Sequence, residues 1–313
     1  MIVGPAHHAT LAREADRGRA NRSWLVLLGA LTAPGPDPFD QFSCGSYPYP
    51  FAVGVPRAYP EYRRADGRSS CDRSYYHALV SPASDRTLMR LHIEALFTHD
   101  ADGNLDRVNE PRGAPAPRLF VGRTVDGVVR RFRHDVGADL RRELDTALHE
   151  DHLERHTLDS RLDPARYGAI LGRFAPVQRT WEGPAFLFPD EIPTARDAVR
   201  VTHENAQLLR PYLESWLPDA GVTGPMYALV VDGHAVSVCA SVRQTSMADE
   251  AGVDTAPSFR GRGYAGQVVA AWARAVRDES RIPLYSTSWE NEASRAVARK
   301  LGLGHFGSDL HIT

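Results

Sequence analysis

From residue 89 onward the apolar positions follow two rhythms, a helical repeat of three and four and an alternation of two. The switches between them outline an α+β chain. Upstream, Pro34-Gly-Pro-Asp-Pro38 and Tyr47-Pro-Tyr-Pro50 punctuate a stretch with neither rhythm, so 1–88 reads as an irregular or poorly ordered arm. Leu91-His-Ile-Glu-Ala-Leu-Phe97 opens the patterned part, and Met89 is a candidate for the true translation start. Strands are expected at 118–122 and 128–132, helices at 137–149 and 164–174, and an apolar strand at 185–188. Together, 89–194 read as an α+β domain with no legible chemistry. In 203–216 the spacing of Ala206, Leu209, Tyr212, Leu213 and Trp216 predicts a helix, closed by Pro218 and Gly221. A hairpin follows, 226–231 and 235–242 about Asp232-Gly233, then a strand at 250–255. Val268, Val269, Trp272 and Val276 give a helix over 263–276 its buried stripe. The chain closes with a strand at 283–287, a helix at 291–301 stopped by Gly302, and a strand at 305–312. The last domain thus spans 195–313.

The chain of 313 residues, 42% hydrophobic and 24% charged, is long enough and apolar enough for a sizeable core, which excludes a wholly disordered or fibrous protein. With 37 basic against 39 acidic residues the formal charge is -2, too balanced to attract a phosphate polymer or an anionic membrane; neither is expected as a partner. Lys300 is the only lysine, which reads as coding bias. Cys44, Cys71 and Cys239 form no C-x-x-C pair, so a reducing cytoplasm is the expected compartment. The apolar run Arg22-Ser-Trp-Leu-Val-Leu-Leu-Gly-Ala-Leu-Thr-Ala33 has the look of a signal-peptide core. It is too short to span a bilayer, and the long stretch before it argues against export.

Chemistry gathers at 253–265, where a strand enters, two glycines flank an arginine, and an amphipathic helix leaves. Such a turn presents unpaired main-chain N–H groups at a positive helix terminus, and glycine lets a pyrophosphate come close. Arg260 and Arg262 add charge. Val253-Asp-Thr-Ala-Pro-Ser-Phe-Arg-Gly-Arg-Gly-Tyr-Ala265 resembles the acyl-CoA motif of GNAT acetyltransferases, R-x-x-G-x-G/A, matched at Arg260, Gly263 and Ala265, in the variant of the FR47-like branch. Asn291-Glu-Ala-Ser294 and Lys300-Leu-Gly-Leu303 resemble the second signature, and the likeness covers about 200–313.

The resemblance implies a GNAT acyltransferase fold: a mixed, mostly antiparallel sheet with a splayed central strand, preceded here by an α+β segment. It implies acetyl-CoA as acyl donor, no metal, and a primary amine, small molecule or peptide, as acceptor attacking directly in a ternary complex. The main-chain groups of Gly261, Arg262, Gly263, Tyr264 and Ala265, with Arg260, would hold the pyrophosphate, and Val253 and Thr255 would pair with pantetheine amides. Asn291 would reach the cofactor or serve as a plain helix cap. An amine that is mostly protonated at neutral pH needs a base, and Glu250 stands at the head of the strand, with Asp249 and Asp254 as chemically equivalent neighbours. A main-chain N–H near Val253 would meet the oxyanion. The family's usual tyrosine acid falls on Ala298, so Ser294, Tyr264 or Tyr285 would stand in, or the thiol leaves unassisted. That vacancy opens the rival reading of a non-catalytic acyl-CoA sensor or recruitment module. Transfer from aminoacyl-tRNA on the same fold would need a localised arginine surface.

Other constellations carry less. His149, His152 and His156 lack the H-E-x-x-H frame and read as a solvated helix end, and Asp100-Ala-Asp-Gly-Asn104 is a turn whose glycine comes too early for a calcium loop. Trp181, Trp289 and Glu290 are candidates for an acceptor pocket, with core packing as the plainer account of each tryptophan.

Overall fold

The computed structural model describes residues 84–111, 113–152, 157–159 and 161–313, with the main chain only at 152. The arm as far as 83, its apolar run, Cys44, Cys71 and His156 lie outside the described residues. In chain order the elements are α1 (Asp85–Leu96), β1 (Phe97–His99), β2 (Leu105–Val108), β3 (Leu119–Thr124), β4 (Gly127–Phe132), α2 (Ala138–His152), α3 (Pro164–Gly172), β5 (Thr180–Leu187), β6 (Ala198–Arg200), β7 (Met226–Val231), β8 (His234–Gln244), β9 (Ala248–Thr255), α4 (Tyr264–Asp278), β10 (Ile282–Ser286), α5 (Glu292–Lys300) and β11 (Gly304–Ile312).

Nine strands form one sheet in the order β4-β3-β11-β5-β10-β9-β8-β7-β6, and β9 with β10 is its single parallel pair. The expected mostly antiparallel mixed sheet is therefore present. β5, from the stretch expected as a separate domain, lies between β11 and β10, and β3 and β4 extend the same sheet. Strand pairing thus crosses the expected 194/195 boundary, and the described residues from 84 onward fall in one compact unit.

The alternation of side chains sorts the core into layers. On one face α1 lays Leu88, Met89, Ile93 and Leu96 against Phe120, Ala185, Ala248 and Leu284. On the other, α2 and α3 pack Leu140, Leu144, Tyr167 and Leu171 on Leu119, Val121, Leu310 and Ile312. Further along that second face, α4 sets Val268, Val269, Trp272 and Val276 against Val236, Cys239 and Tyr285. The close seating of α1 depends on Gly122, where a Cβ would stand 2.4 Å from the Met89 side chain.

One expected element is corrected. In 203–216 the apolar spacing is real, with Leu209, Leu213 and Trp216 buried, but the backbone forms two 3₁₀ segments, His203–Leu209 and Glu214–Asp219. Pro211 has no N–H to continue a helix and its ring clashes with the preceding turn, so the run breaks there.

Candidate functional site

The one parallel pair is also where the sheet opens. β10 pairs with β9 only at Ile282↔Ala248, Pro283↔Asp249 and Leu284↔Glu250, after which β10 stays with β5 and β9 with β8. Two hydrogen bonds fix which main-chain groups face the gap. Ile282 N donates to Met247 O (2.8 Å), so odd-numbered residues turn toward β10, and Ala256 N donates to Val236 O (2.9 Å), so even ones turn toward β8. Ala251, Val253 and Thr255 therefore aim their N–H and C=O groups into the gap. The Thr255 carbonyl accepts from Arg260 Nε at 3.0 Å.

The two-glycine turn lies at the head of α4. Gly261 and Gly263 adopt φ of 78° and 81°, the left-handed region that favours glycine, and a Cβ on either would meet nothing within 4 Å. Gly263 is the N-cap of α4 and no side chain caps the helix, so its first N–H groups, including those of Tyr264 and Ala265, have no intrahelical partner. Residues 260–263 are exposed. Arg262 donates to Ser258 O (3.2 Å) and lies over the Phe259 ring, 5.2 Å from its centroid. Among the described residues neither Arg260 nor Arg262 forms a salt bridge with a carboxylate. An open, positively charged, donor-rich turn is what a pyrophosphate requires, so the residues fit the implied nucleotide thioester.

Glu250 stands at the last paired position before the gap and is 2% exposed, not on a solvated loop. Its Oε1 contacts Nδ1 of His92 from α1, and its Oε2 accepts from Ser286 Oγ on β10 at 3.3 Å. His92 Nε2 lies 3.3 Å from Asp309 Oδ2, which also holds His311 Nε2 at 2.7 Å. Burial alone would lower the pKa of His92, but Glu250 and then Asp309 outweigh it and raise the value to about 10. For Asp309, burial pushes upward but the charges of His92 and His311 prevail, holding the carboxyl below its ordinary range. Burial pulls His311 down, against the pull of Asp309. His92, Asp309, His311 and Ser286 are absent from the sequence-based site. The one local signal was His92 itself, a polar residue on the buried stripe between Met89 and Ile93.

Asp249 points to the opposite face, where it accepts from Ser241 Oγ (2.6 Å), Gln244 Nε2 (3.2 Å) and Arg281 Nε (2.6 Å). Trp272 Nε1 donates to Ser241 Oγ at 2.9 Å, so Asp249 anchors α4. Ser294, in the first turn of α5, is hydrogen-bonded through its hydroxyl to Tyr285. Burial pushes the Tyr285 hydroxyl well above its ordinary pKa, which keeps it protonated. Asn291 caps α5, its Oδ1 accepting from Ser294 N at 3.1 Å. Tyr264 begins α4, half-buried against the Trp272 cluster. Ala298 is 1% exposed in that cluster.

Trp181 stacks on His311, ring centroids 4.7 Å apart, on the α1 face, whereas Trp289 packs near His305 on the other, so the two do not line one pocket. Asp100–Asn104 is a turn, with Asp100 Oδ1 accepting from the main chain of Asp102 and Asn104 at 2.9 Å each. Among the described residues no three His, Cys, Asp or Glu side chains are grouped to hold a metal, and no helix is long and apolar enough to cross a membrane. A recess of about 440 Å³ at the free edge of β4 is lined by Arg86, Arg90, Arg130, Arg131 and Arg141. Four strands, β3, β11, β5 and β10, separate it from the gap.

The site is thus a sheet that parts beside its one parallel pair, with an open two-glycine turn at the mouth of the gap, in an α/β architecture. Residues 222–307 match the model of a family described as GNAT acetyltransferase. No curated protein matches the chain. Solved structures similar to it include a GCN5-related N-acetyltransferase-like protein from Streptococcus suis (16% identity, 77% of this chain and 98% of that one, TM-score 0.38). A GCN5-related N-acetyltransferase from Kribbella flavida is similar at 15% identity, over 74% of this chain and 95% of that one, TM-score 0.39. A GNAT-family acetyltransferase from Novosphingobium aromaticivorans is similar at 16% identity, TM-score 0.38. That match covers 44% of this chain and 65% of the other.

Proposed function

We propose that the chain is a cytoplasmic N-acyltransferase that moves an acetyl or short acyl group from acetyl-CoA to a primary amine, of a small molecule or a peptide, by direct attack in a ternary complex. Acetyl-CoA supplies the acyl group as a thioester. The observation that carries the reading is the open turn at 260–263 beside main-chain groups of Ala251, Val253 and Thr255 that no strand pairs with. The turn and Arg260 bind the diphosphate, and Val253 and Thr255 hold the pantetheine amides. The Val253 N–H faces the gap, where it stabilises a developing oxyanion. Glu250 takes the amine proton, directly or through Ser286, and the Ser294–Tyr285 pair supplies a proton to the departing sulfur. The sole described cysteine, Cys239, is buried and its thiol is pushed up by burial, so it is no acyl carrier.

The burial of Ala298 favours the rival reading of a non-catalytic acyl-CoA sensor. An assay of free CoA thiol released with a panel of primary amines separates the two. The enzyme turns over at least one amine and Glu250→Gln lowers kcat by about 10²-fold or more. Binding of acetyl-CoA with no release above the blank for any amine, and no effect of Glu250→Gln, would establish the sensor.

A further inference from the structure

Four ionisable side chains from three elements are buried in one line behind the gap: Glu250 on β9, His92 on α1, Asp309 and His311 on β11, each 2% exposed or less apart from the half-buried His311. Ionised groups taken out of water are costly unless paired, and a hydrophobic filling of the same volume would stabilise this layer as well or better. Only one oxygen of Asp309 is used: Oδ2 serves both histidines, while Oδ1 is buried with no hydrogen-bond partner among the described residues. The far end is sealed by Trp181, Phe120 and Phe97, all within 5.4 Å of the His311 ring by centroid. The near end opens at Ser286, whose hydroxyl reaches Glu250 Oε2 across the mouth of the gap.

We propose that His92 is a positioning residue for the transfer reaction: held from behind by Asp309, it fixes Glu250 as a carboxylate at the apex of the gap and provides the charge against which Glu250 takes up and gives back the acceptor's proton. This rests on the reading of Glu250 as proton acceptor. As nitrogen forms its bond to the acyl carbon, its N–H bond breaks and the proton passes to Glu250 Oε2, either directly or by Ser286 taking one proton as it gives another. The Glu250–His92–Asp309 trio goes from one net negative charge to none, and returns to it when Glu250 releases the proton to water. No electron changes hands.

The groups facing His92 are Glu250, Asp309, and the rings of Phe120 and Phe306, with His311 behind Asp309. Removing the cation and removing the rear anion should therefore move the rate profile in opposite directions. In the thiol-release assay the acid limb of kcat/KM moves to higher pH in His92→Gln and to lower pH in Asp309→Asn, by about one unit each. The double variant falls between His92→Gln and the native chain, because both charges are gone. A merely structural role would leave the limb in place and make the double variant the worst of the three. Ring-nitrogen NMR of the full chain needs neither an acceptor nor a variant. Both nitrogens of His92 carry protons from pH 6 to 9, and Glu250→Gln and Asp309→Asn each bring deprotonation to lower pH. A neutral His92 ring at pH 7, or one whose titration ignores both substitutions, would overturn the proposal. Full activity in Glu250→Gln with His92 still charged would instead remove the reading of Glu250 and leave the charge assignment standing.

Discussion

Adjacent residues on one strand point to opposite faces, and here that alternation separates two roles among chemically similar carboxylates. Glu250 turns to α1 and the gap, while Asp249 turns to α4 and closes a buried chain of Trp272, Ser241 and Arg281. Arg281→Met leaves a fully buried Asp249 without its cation and should cost about 3–5 kcal/mol in chemical denaturation. Acetyl-CoA affinity per folded molecule should be unchanged. Loss of affinity with full stability would place Asp249 in the site instead. At Ser294 the account asks for a small hydroxyl: Ser294→Ala should slow thiol release without altering acetyl-CoA binding, and stopped-flow of the transfer step is the measurement.

At the scale of elements, α1 carries His92 into the site from outside the GNAT-like stretch. Its N-cap, Ser84, accepts from Thr87 N at 3.3 Å. Ser84→Ala should cost about 1 kcal/mol by thermal unfolding. A chain begun at Met89 would lose the cap and first turn of the helix that seats Met89 and His92 in the core; a clear fall in Tm and in thiol release is expected. Retention of both would show that 84–88 are dispensable. The helix was legible only as an apolar cluster after Met89, because its role depends on a partner 158 positions away. The turn at 260–265 was legible because everything it needs is local: glycines, arginines and the stripe of α4. In 203–216 local periodicity misled, since burial of Leu209, Leu213 and Trp216 is met by two short turns once Pro211 forbids a helix. The single sheet was not legible, because β5 finds its neighbours in β10 and β11 far downstream.

For the whole molecule, the His92 cluster ties stability to pH. The folded value of about 10 lies above the ordinary 6.5, so protonation favours the folded state. That contribution is fully present below pH 6.5 and is lost as pH rises through 10. Asp309, held low, contributes above its ordinary range and loses that contribution as pH falls toward its folded value. Urea midpoints should therefore decline from pH 7 to 10 in the native chain and decline less in His92→Gln. Parallel curves would mean that the ring is not charged.

Calorimetric titration of acetyl-CoA into the native chain, Gly263→Ala and Gly263→Glu tests the central claim most directly. Both substitutions carry the strain of a left-handed residue, roughly 1–2 kcal/mol, but only glutamate places negative charge where the diphosphate would sit. The account predicts binding by the native chain, weakened binding by Gly263→Ala, and none by a folded Gly263→Glu. Equal affinity in all three would contradict it.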